Sequence, residues 1–513
     1  MLPALPRLPG IKNLIEKKKS FVITAPPRSG KTTILHSVVF DLNKEGKRLA
    51  LRCDLETIRG IDDVDGAMNA LLENLRLSLR FSGAEALKKA GEDESLAKPA
   101  SDPAFKGRPL ELWLRTLCSR LEKDLVILFD GADCPSGGVL MSFFRQLRSG
   151  FAESGRNPFP RSVGLAGVRD VRNRVPETCP GERPDPLLFV DFAKNPLTPK
   201  DFTLAEMKAL YAQHAEASGQ AFTGKAVLRA RQWSEGHPGL VNALAGEVVE
   251  NIFDSDYDLK VTEALIDDAA KNILKRRNPL FDRLSENLPD PGVRRVVGPM
   301  LAGGVVSSFP KDEADDVGGS ADDGRFAMDL GLVKKNGSFR PANPIYHAAL
   351  ARHLSFSAMT FLPRKREGER TDREKPGMMD ILRKFSRLWN KSGHDCLKNF
   401  FCPEAAPYLA LFAFLHEVLG GTAEVKAEYA GPGRFSDIVA ISGGKKLVVA
   451  TECHRRCPET RENRKRLEKL MERKLADDCW MVVFTGNVKK GFEIQESVKW
   501  HHVSGCRIIV EIG

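Results

Sequence analysis

The sequence predicts an α/β protein of several domains, and three observations predict it. Short β-branched runs alternate with helical stretches over residues 1–200. A Gly-Lys-Thr string stands between one such run and an apolar helix. An α/β pattern then returns after an almost wholly charged segment at residues 363–376. Alternation of this kind is the signature of a mainly parallel sheet covered by helices, and the length allows roughly three to four cores.

The strands expected in the first region are Phe21 to Thr24, Leu49 to Cys53, Leu125 to Phe129, Val163 to Ala166 and Leu187 to Val190. Residues 81–106, rich in Ala, Lys, Glu and Ser, read as a polar insertion. From 200 to 275 strand signals vanish, and Leu204, Met207, Leu210 and Tyr211 follow helical spacing. Over 280–355 a helix at Val293 to Leu301 is followed by an acidic, Gly-rich loop, Asp312 to Asp323, and a turn at Asn336-Gly337. A helix followed by a two-stranded wing suggests a winged helix. The charged segment 363–376 is bounded by prolines and has too little apolar content to fold alone, so it reads as a linker. The organisation expected is thus a core at 1–200, a helical lid at 201–278, a winged helix at 279–356, a linker at 357–377 and a second α/β domain at 378–513.

Composition narrows the function classes. The chain is 42% hydrophobic and 28% charged, with no apolar run long enough to span a bilayer. Prolines near Met1 interrupt the apolar stretch a signal peptide needs, which predicts a cytoplasmic protein. The ten cysteines are scattered and read as ordinary thiols. Cys453-His454-x-x-Cys457 falls short of a four-ligand zinc set. A formal charge of +10 is compatible with a polyanionic partner such as DNA, and also with a protein that is merely basic.

The first site lies in Ala25-Pro-Pro-Arg28-Ser29-Gly30-Lys31-Thr32-Thr33, which follows an apolar strand and opens an apolar helix. That is the context a phosphate-binding loop (P-loop) requires. Backbone N–H groups and the helix dipole favour the phosphates of ATP there. Lys31 is expected on the β- and γ-phosphates and Thr32 on Mg²⁺. Ala25 stands where the motif carries Gly. Asp130, ending the strand from Leu125, is placed to bind the Mg²⁺ through its water shell. The residue after it is Gly131, where many such ATPases carry the Glu that polarises water. Asp133 takes that role, as similar Asp-Gly-x-Asp strings suggest, or the domain binds ATP and turns it over slowly. Arg169 stands where a sensor of the γ-phosphate would lie, or is a surface arginine. Pro238, in Gly236-His-Pro-Gly-Leu, approaches the nucleotide from the lid, or simply starts a helix.

The set Ala25 to Thr32, the strand ending Phe129-Asp-x-x-Asp133, the string from Leu140 to Phe151, Gly167-Val-Arg-Asp-Val-Arg172, Gly236 to Leu244 and Ala342-Asn-Pro-Ile-Tyr346 resembles, in order, the bacterial AAA-like ATPases of the STAND and origin-recognition branch. The resemblance spans most of residues 1–355 and implies a P-loop core, a helical lid and a winged helix. Members of that group often carry a C-terminal domain like the PD-(D/E)xK nucleases, and residues 378–513 look similar. Asp437 and Glu452 match that fold's two metal-binding acids, and His454 stands where its Lys is expected. His454 is a metal ligand or base near neutral pH, or the domain has lost cleavage and kept binding. The basic helix Arg461 to Lys474 either contacts phosphates or is a solvated face. Two functions follow: an ATP-dependent, DNA-associated switch, with a homo-oligomer as one arrangement, or an ATP-binding signalling scaffold that does not cleave.

Overall fold

The computed structural model describes residues 5–97, 107–135, 137–172, 186–254, 256–275, 281, 288, 290–301, 321–359, 377–399, 405–419, 423–428, 437–442, 444–454, 477–485, 499–503 and 506–512. The chain divides into two compact units. One comprises Met1–Val227, Gly236–Asn242 and Tyr257–Lys260, the other Leu228–Glu235, Ala243–Asp256 and Val261–Gly513.

The first unit runs α1 (Ile11–Glu16), β1 (Phe21–Thr24), α2 (Lys31–Glu45), β2 (Leu49–Asp54), α3 (Val64–Arg80), α4 (Glu85–Gly91), α5 (Pro109–Ser119), β3 (Leu125–Asp130), α6 (Gly137–Ala152), β4 (Ser162–Gly167) and α7 (Leu204–Ser218). Its four strands are all parallel in the order β1-β4-β3-β2, so the P-loop strand and the Asp130 strand are separated by β4. Both faces are buried, as a parallel sheet requires. The period-2 alternation divides the side chains: Phe21, Ile23, Val126 and Leu128 pack with α1 and α2, while Val22, Ile127, Phe129 and Leu165 pack with α3, α5 and α6.

Two expectations need correction. Leu187 to Val190 is not a strand: Pro186–Phe189 forms a 3-10 turn. The chain meets β1 a little later, through parallel bridges Ser20↔Phe192 and Ile23↔Leu197. Pro196 has no N–H, so a continuous ladder is impossible there. Nor is the 81–106 region merely polar, since Leu87, Ala90 and Leu96 are buried in the core and the Leu96 carbonyl accepts a hydrogen bond from Trp113 Nε1 at 3.0 Å.

Helix α8 (Gly224–Ser234) and helix α9 (Pro238–Gly246) each contribute residues to both units, and the second unit continues with α10 (Glu263–Lys275), α11 (Pro291–Leu301), α12 (Ala321–Asp329), β5 (Val333–Asn336), β6 (Ser338–Pro341) and α13 (Pro344–Met359). Strands β5 and β6 form an antiparallel hairpin about Gly337. Arg340 of the hairpin grips Glu235 with two bonds, 2.7 and 3.0 Å. Then come α14 (Met378–Asn399), α15 (Ala406–Leu419), β7 (Glu424–Glu428), β8 (Asp437–Ser442), β9 (Lys445–His454), β10 (Asp478–Thr485), β11 (Lys499–Val503) and β12 (Cys506–Ile512). This sheet is mixed, in the order β11-β12-β10-β9-β8-β7: β7, β8 and β9 form an antiparallel meander, and β10 lies parallel to β9. Among the described residues no helix is long and apolar enough to cross a membrane.

Candidate functional site

Parallel strands bring their carboxyl ends to one edge, and there the first unit gathers its polar residues. Thr24 ends β1, Asp54 ends β2, Asp130 ends β3 and Gly167 ends β4, with the N-terminus of α2 beside them. Ala25 is buried at 2% exposure, so its methyl group is accommodated in the turn. Its backbone N–H donates to the Gly167 carbonyl at 3.1 Å, pinning the start of the loop to β4. Arg28 carries a positive φ of 59°, and Thr32 and Thr33 are exposed in the first turn of α2.

Lys31 Nζ donates to the carbonyls of Ala25 and Pro26 at 2.8 and 2.9 Å, folding the ammonium over its own loop. Thr32 Oγ1 donates to Asp130 Oδ2 at 2.7 Å, joining the two halves of the motif 98 residues apart. The Ser29 hydroxyl is buried with no hydrogen-bond partner among the described residues. A loop with an orphaned hydroxyl, an ammonium, a helix N-terminus and a hydroxyl–carboxylate pair has the donor chemistry of a phosphate and Mg²⁺ site. The parallel sheet with its strand–loop–helix is of the P-loop type.

The other residues expected in the site are distributed as follows. Asp133 Oδ1 accepts the Val168 N–H at 3.0 Å, tying the β3 loop to the end of β4. Arg169 is half-buried two residues past that end. The turn carrying Pro238 lies against the P-loop: a Cβ on Gly239 would stand 2.8 Å from Arg28 Cβ and 2.9 Å from its carbonyl oxygen. Only glycine permits so close a backbone approach. Gly131 has φ +70°, so no side chain sits there without strain.

Three residues of this site lie outside the motifs read from the sequence. Arg7 is buried and donates to the carbonyls of Lys200 and Ser29, at 2.9 and 3.3 Å, while its guanidinium lies 4.5 Å from the Phe202 ring centre. Burial pulls its pKa below the ordinary arginine value, against the opposing charges of Glu206 and Asp201. Arg52 donates to Asp130 Oδ2 at 2.8 Å and to Asp54 at 3.1 Å, clasping two aspartates that are paired in register. Glu56 lies beside Gly131, where a Cβ would come 3.5 Å from Glu56 Cγ, and it is held by Arg59 at 2.8 and 2.9 Å. Only the unusual density of charge in Arg52-Cys-Asp54-Leu-Glu56 hinted at the last two.

In the second unit Asp437 opens β8 and is 1% exposed, paired in register with Glu428 of β7. Glu452 and His454 lie near the end of β9, where the backbone pairs them with Val483 and Thr485 of β10. Since Ile438 pairs with Val449, the alternation puts positions 437, 452 and 454 on one side of the sheet. The basic segment 461–474 and Cys457 lie outside the described residues, and among those described no group of three or more His, Cys, Asp or Glu is placed to hold a metal.

No protein-family profile and no curated protein matches the chain. Among solved structures it is similar to a Walker-type ATPase of Pyrococcus abyssi, at 11% identity and a TM-score of 0.48, over 66% of this chain and 93% of that one. It is also similar to Cdc6p of Pyrobaculum aerophilum, at 14% identity and a TM-score of 0.36, over 67% and 90%. RuvB of Thermotoga maritima, a Holliday junction branch migration motor, gives 12% and 0.33, over 65% and 88%.

Proposed function

We propose that the chain is an ATP-binding, DNA-associated switch whose P-loop core works with a helical lid, a winged helix and a C-terminal nuclease-like domain. The observation that carries the nucleotide reading is the 2.7 Å bond from Thr32 to Asp130 beside Lys31 on the loop carbonyls. Thr32 and Asp130 are the residues that would hold Mg²⁺, which neutralises phosphate charge when bound. Lys31 leaves its two carbonyls for the β- and γ-phosphates, and the N–H groups of Lys31, Thr32 and Thr33 face the same anion. Arg28 and Ser29 complete the loop, and the Pro238 turn closes over Arg28. Asp133 is the acid proposed to orient water and Arg169 the sensor of the γ-phosphate. Should Asp133 not take that role, the lack of a carboxylate at 131 leaves a domain that binds ATP and turns it over slowly.

The helix–hairpin–helix run from α11 to α13 supports the winged-helix reading. In the C-terminal domain the antiparallel β7-β8-β9 meander, the parallel β10 and the shared side of positions 437, 452 and 454 support the nuclease-like reading. There Asp437 and Glu452 would hold a divalent metal that activates water, with His454 beside them. Gly131 favours a second reading, a scaffold that retains ATP without turning it over.

ATP hydrolysis measured with and without DNA separates the two. Stimulation by DNA that disappears in Lys31→Ala is the outcome expected for the switch. Stoichiometric ATP retained unhydrolysed, with or without DNA, would overturn it in favour of the scaffold.

A further inference from the structure

A cavity of about 1270 Å³ lies wholly within the second unit, walled by the end of α8, by α10, by β6 and α13, by α15 and by β7. It is larger than the ~300–1,000 Å³ of small-molecule pockets. Its lining carries six cationic side chains, Arg229, Lys271, Lys275, Arg340, Arg352 and Lys426, against three glutamates, Glu235, Glu424 and Glu428. Four of the cations are set in place by acids: Arg229 on Asp267 at 2.6 Å, Arg340 on Glu235 at 2.7 Å, Lys271 on Asp268 and Glu424 at 3.0 and 3.4 Å, and Lys426 near Glu428 at 3.8 Å. The other two differ. Lys275 and Arg352 are exposed, and among the described residues neither is paired with a carboxylate; Arg352 donates instead to the Leu274 carbonyl at 2.6 Å. The Trp233 ring, with the Arg229 guanidinium 5.6 Å from its centre, adds an aromatic surface to the same wall.

We propose that this cavity holds a single-stranded nucleic-acid segment by its phosphates. Cations on several walls suit a ligand that repeats its negative charge along its length, and a flat aromatic ring among them suits an unstacked base. An acidic peptide would meet the same cations, but it has no use for Trp233. The lining includes Glu428, the residue paired in register with Asp437 at the head of β8. The cavity thus shares strand β7 with the neighbour of the residue that the sequence offers as a metal-binding acid, Asp437. The inference rests on the DNA association proposed above and makes it specific. It is independent of ATP binding and of whether the C-terminal domain cleaves.

Fluorescence anisotropy of a labelled oligothymidylate about twelve nucleotides long, titrated with the full chain across a range of salt, tests it. The wild type should bind, and affinity should fall as salt rises. Lys275→Ala/Arg352→Ala should weaken binding about tenfold and flatten the slope of log K against log salt by about 1.4, at ~0.7 for each phosphate no longer neutralised. Because both side chains are exposed, the double variant should keep the far-ultraviolet circular dichroism of the wild type. Lys31→Ala should bind the oligonucleotide as the wild type does, so a failed nucleotide site and a failed cavity are told apart. No binding by the wild type, or unchanged affinity and slope in the double variant, would overturn the proposal. Binding of duplex but not single strand would also overturn it. So would displacement of the oligonucleotide from Lys31→Ala by free ATP or by an acidic peptide at matched charge.

Discussion

The two sheets of this protein bring residues to their strand ends by different means. In the first, all four strands run the same way, so Thr24, Asp54, Asp130 and Gly167 reach one edge from four separate stretches of chain. In the second, β8 and β9 are antiparallel, and the head of one meets the tail of the other, so Asp437 approaches the end of β9 through a single hairpin. The parallel edge needs long crossovers, and these supply a helix N-terminus and side chains from distant segments that touch: Asp130 receives Thr32, 98 residues away, and Arg52, 78 residues away. The antiparallel edge needs only correct register, and its acid is buried at 1% exposure. A dense hydrogen-bond network resists single changes of shape but reports on ligand.

That contrast yields predictions of decreasing size. Asp437→Ala should abolish metal-dependent cutting of plasmid DNA by the proposed nuclease-like domain, a loss of roughly 100-fold or more, while ATP binding is unchanged. Cutting that persists in the variant would remove Asp437 from the site. In the first unit, Arg52→Ala leaves Asp130 without its guanidinium and should lower unfolding stability by ~1–3 kcal/mol, as for other charge-assisted hydrogen bonds. A denaturant midpoint unchanged within error would mean that solvent replaces Arg52 without loss. Gly131→Glu restores the glutamate common in related motifs, but at φ +70° a side chain costs ~1–2 kcal/mol. It should lower the melting temperature and leave hydrolysis no faster. A faster rate would show that the local backbone relaxes.

The smallest effect is on pH. Burial pushes the Cys53 and Cys118 thiols up to about 12, with the charges of Asp54 and Asp124 adding to the shift. Because the folded-state pKa lies above that of the unfolded chain, their contribution is intact at neutral pH and is lost as pH rises from ~8.5 toward 12. Stability should therefore fall on the alkaline side, and alkylation of these thiols at about pH 8 should be slow until denaturant is added. Fast labelling of Cys53, fully buried in the native protein, would contradict that burial.

Much of the first site was legible because its information is local. The P-loop is one contiguous string between a strand and a helix, and four of the five expected strands lie within a residue or two of their predicted ends. The fifth failed because Leu187-Leu-Phe-Val190 has strand composition, but the Pro186 start favours a 3-10 turn and pairing with β1 is decided by backbone bonds at 192 and 197. In the 81–106 region a narrow buried face of Leu87 and Ala90 is masked by the lysines and glutamates around it. Arg7 and Arg52 could not be read, since each reaches a partner far away in sequence, and Glu56 nears the site only because β2 and β3 pair in register. Arg7 reaches a carbonyl 193 residues away. In the second unit Asp437 is singled out only by the resemblance to the nuclease fold, and the cavity is lined from several elements and leaves no pattern in any one of them.

The central claim is that residues 25–33 and Asp130 form an ATP·Mg²⁺ site. Equilibrium binding of a fluorescent ATP analogue with and without Mg²⁺, comparing wild type with Lys31→Ala, tests it most directly. Mg²⁺-dependent binding by the wild type and about 100-fold weaker binding by the variant are expected, the scale for losing a charged partner of a phosphate. Equal affinity in the two proteins, or wild-type binding indifferent to Mg²⁺, would contradict it.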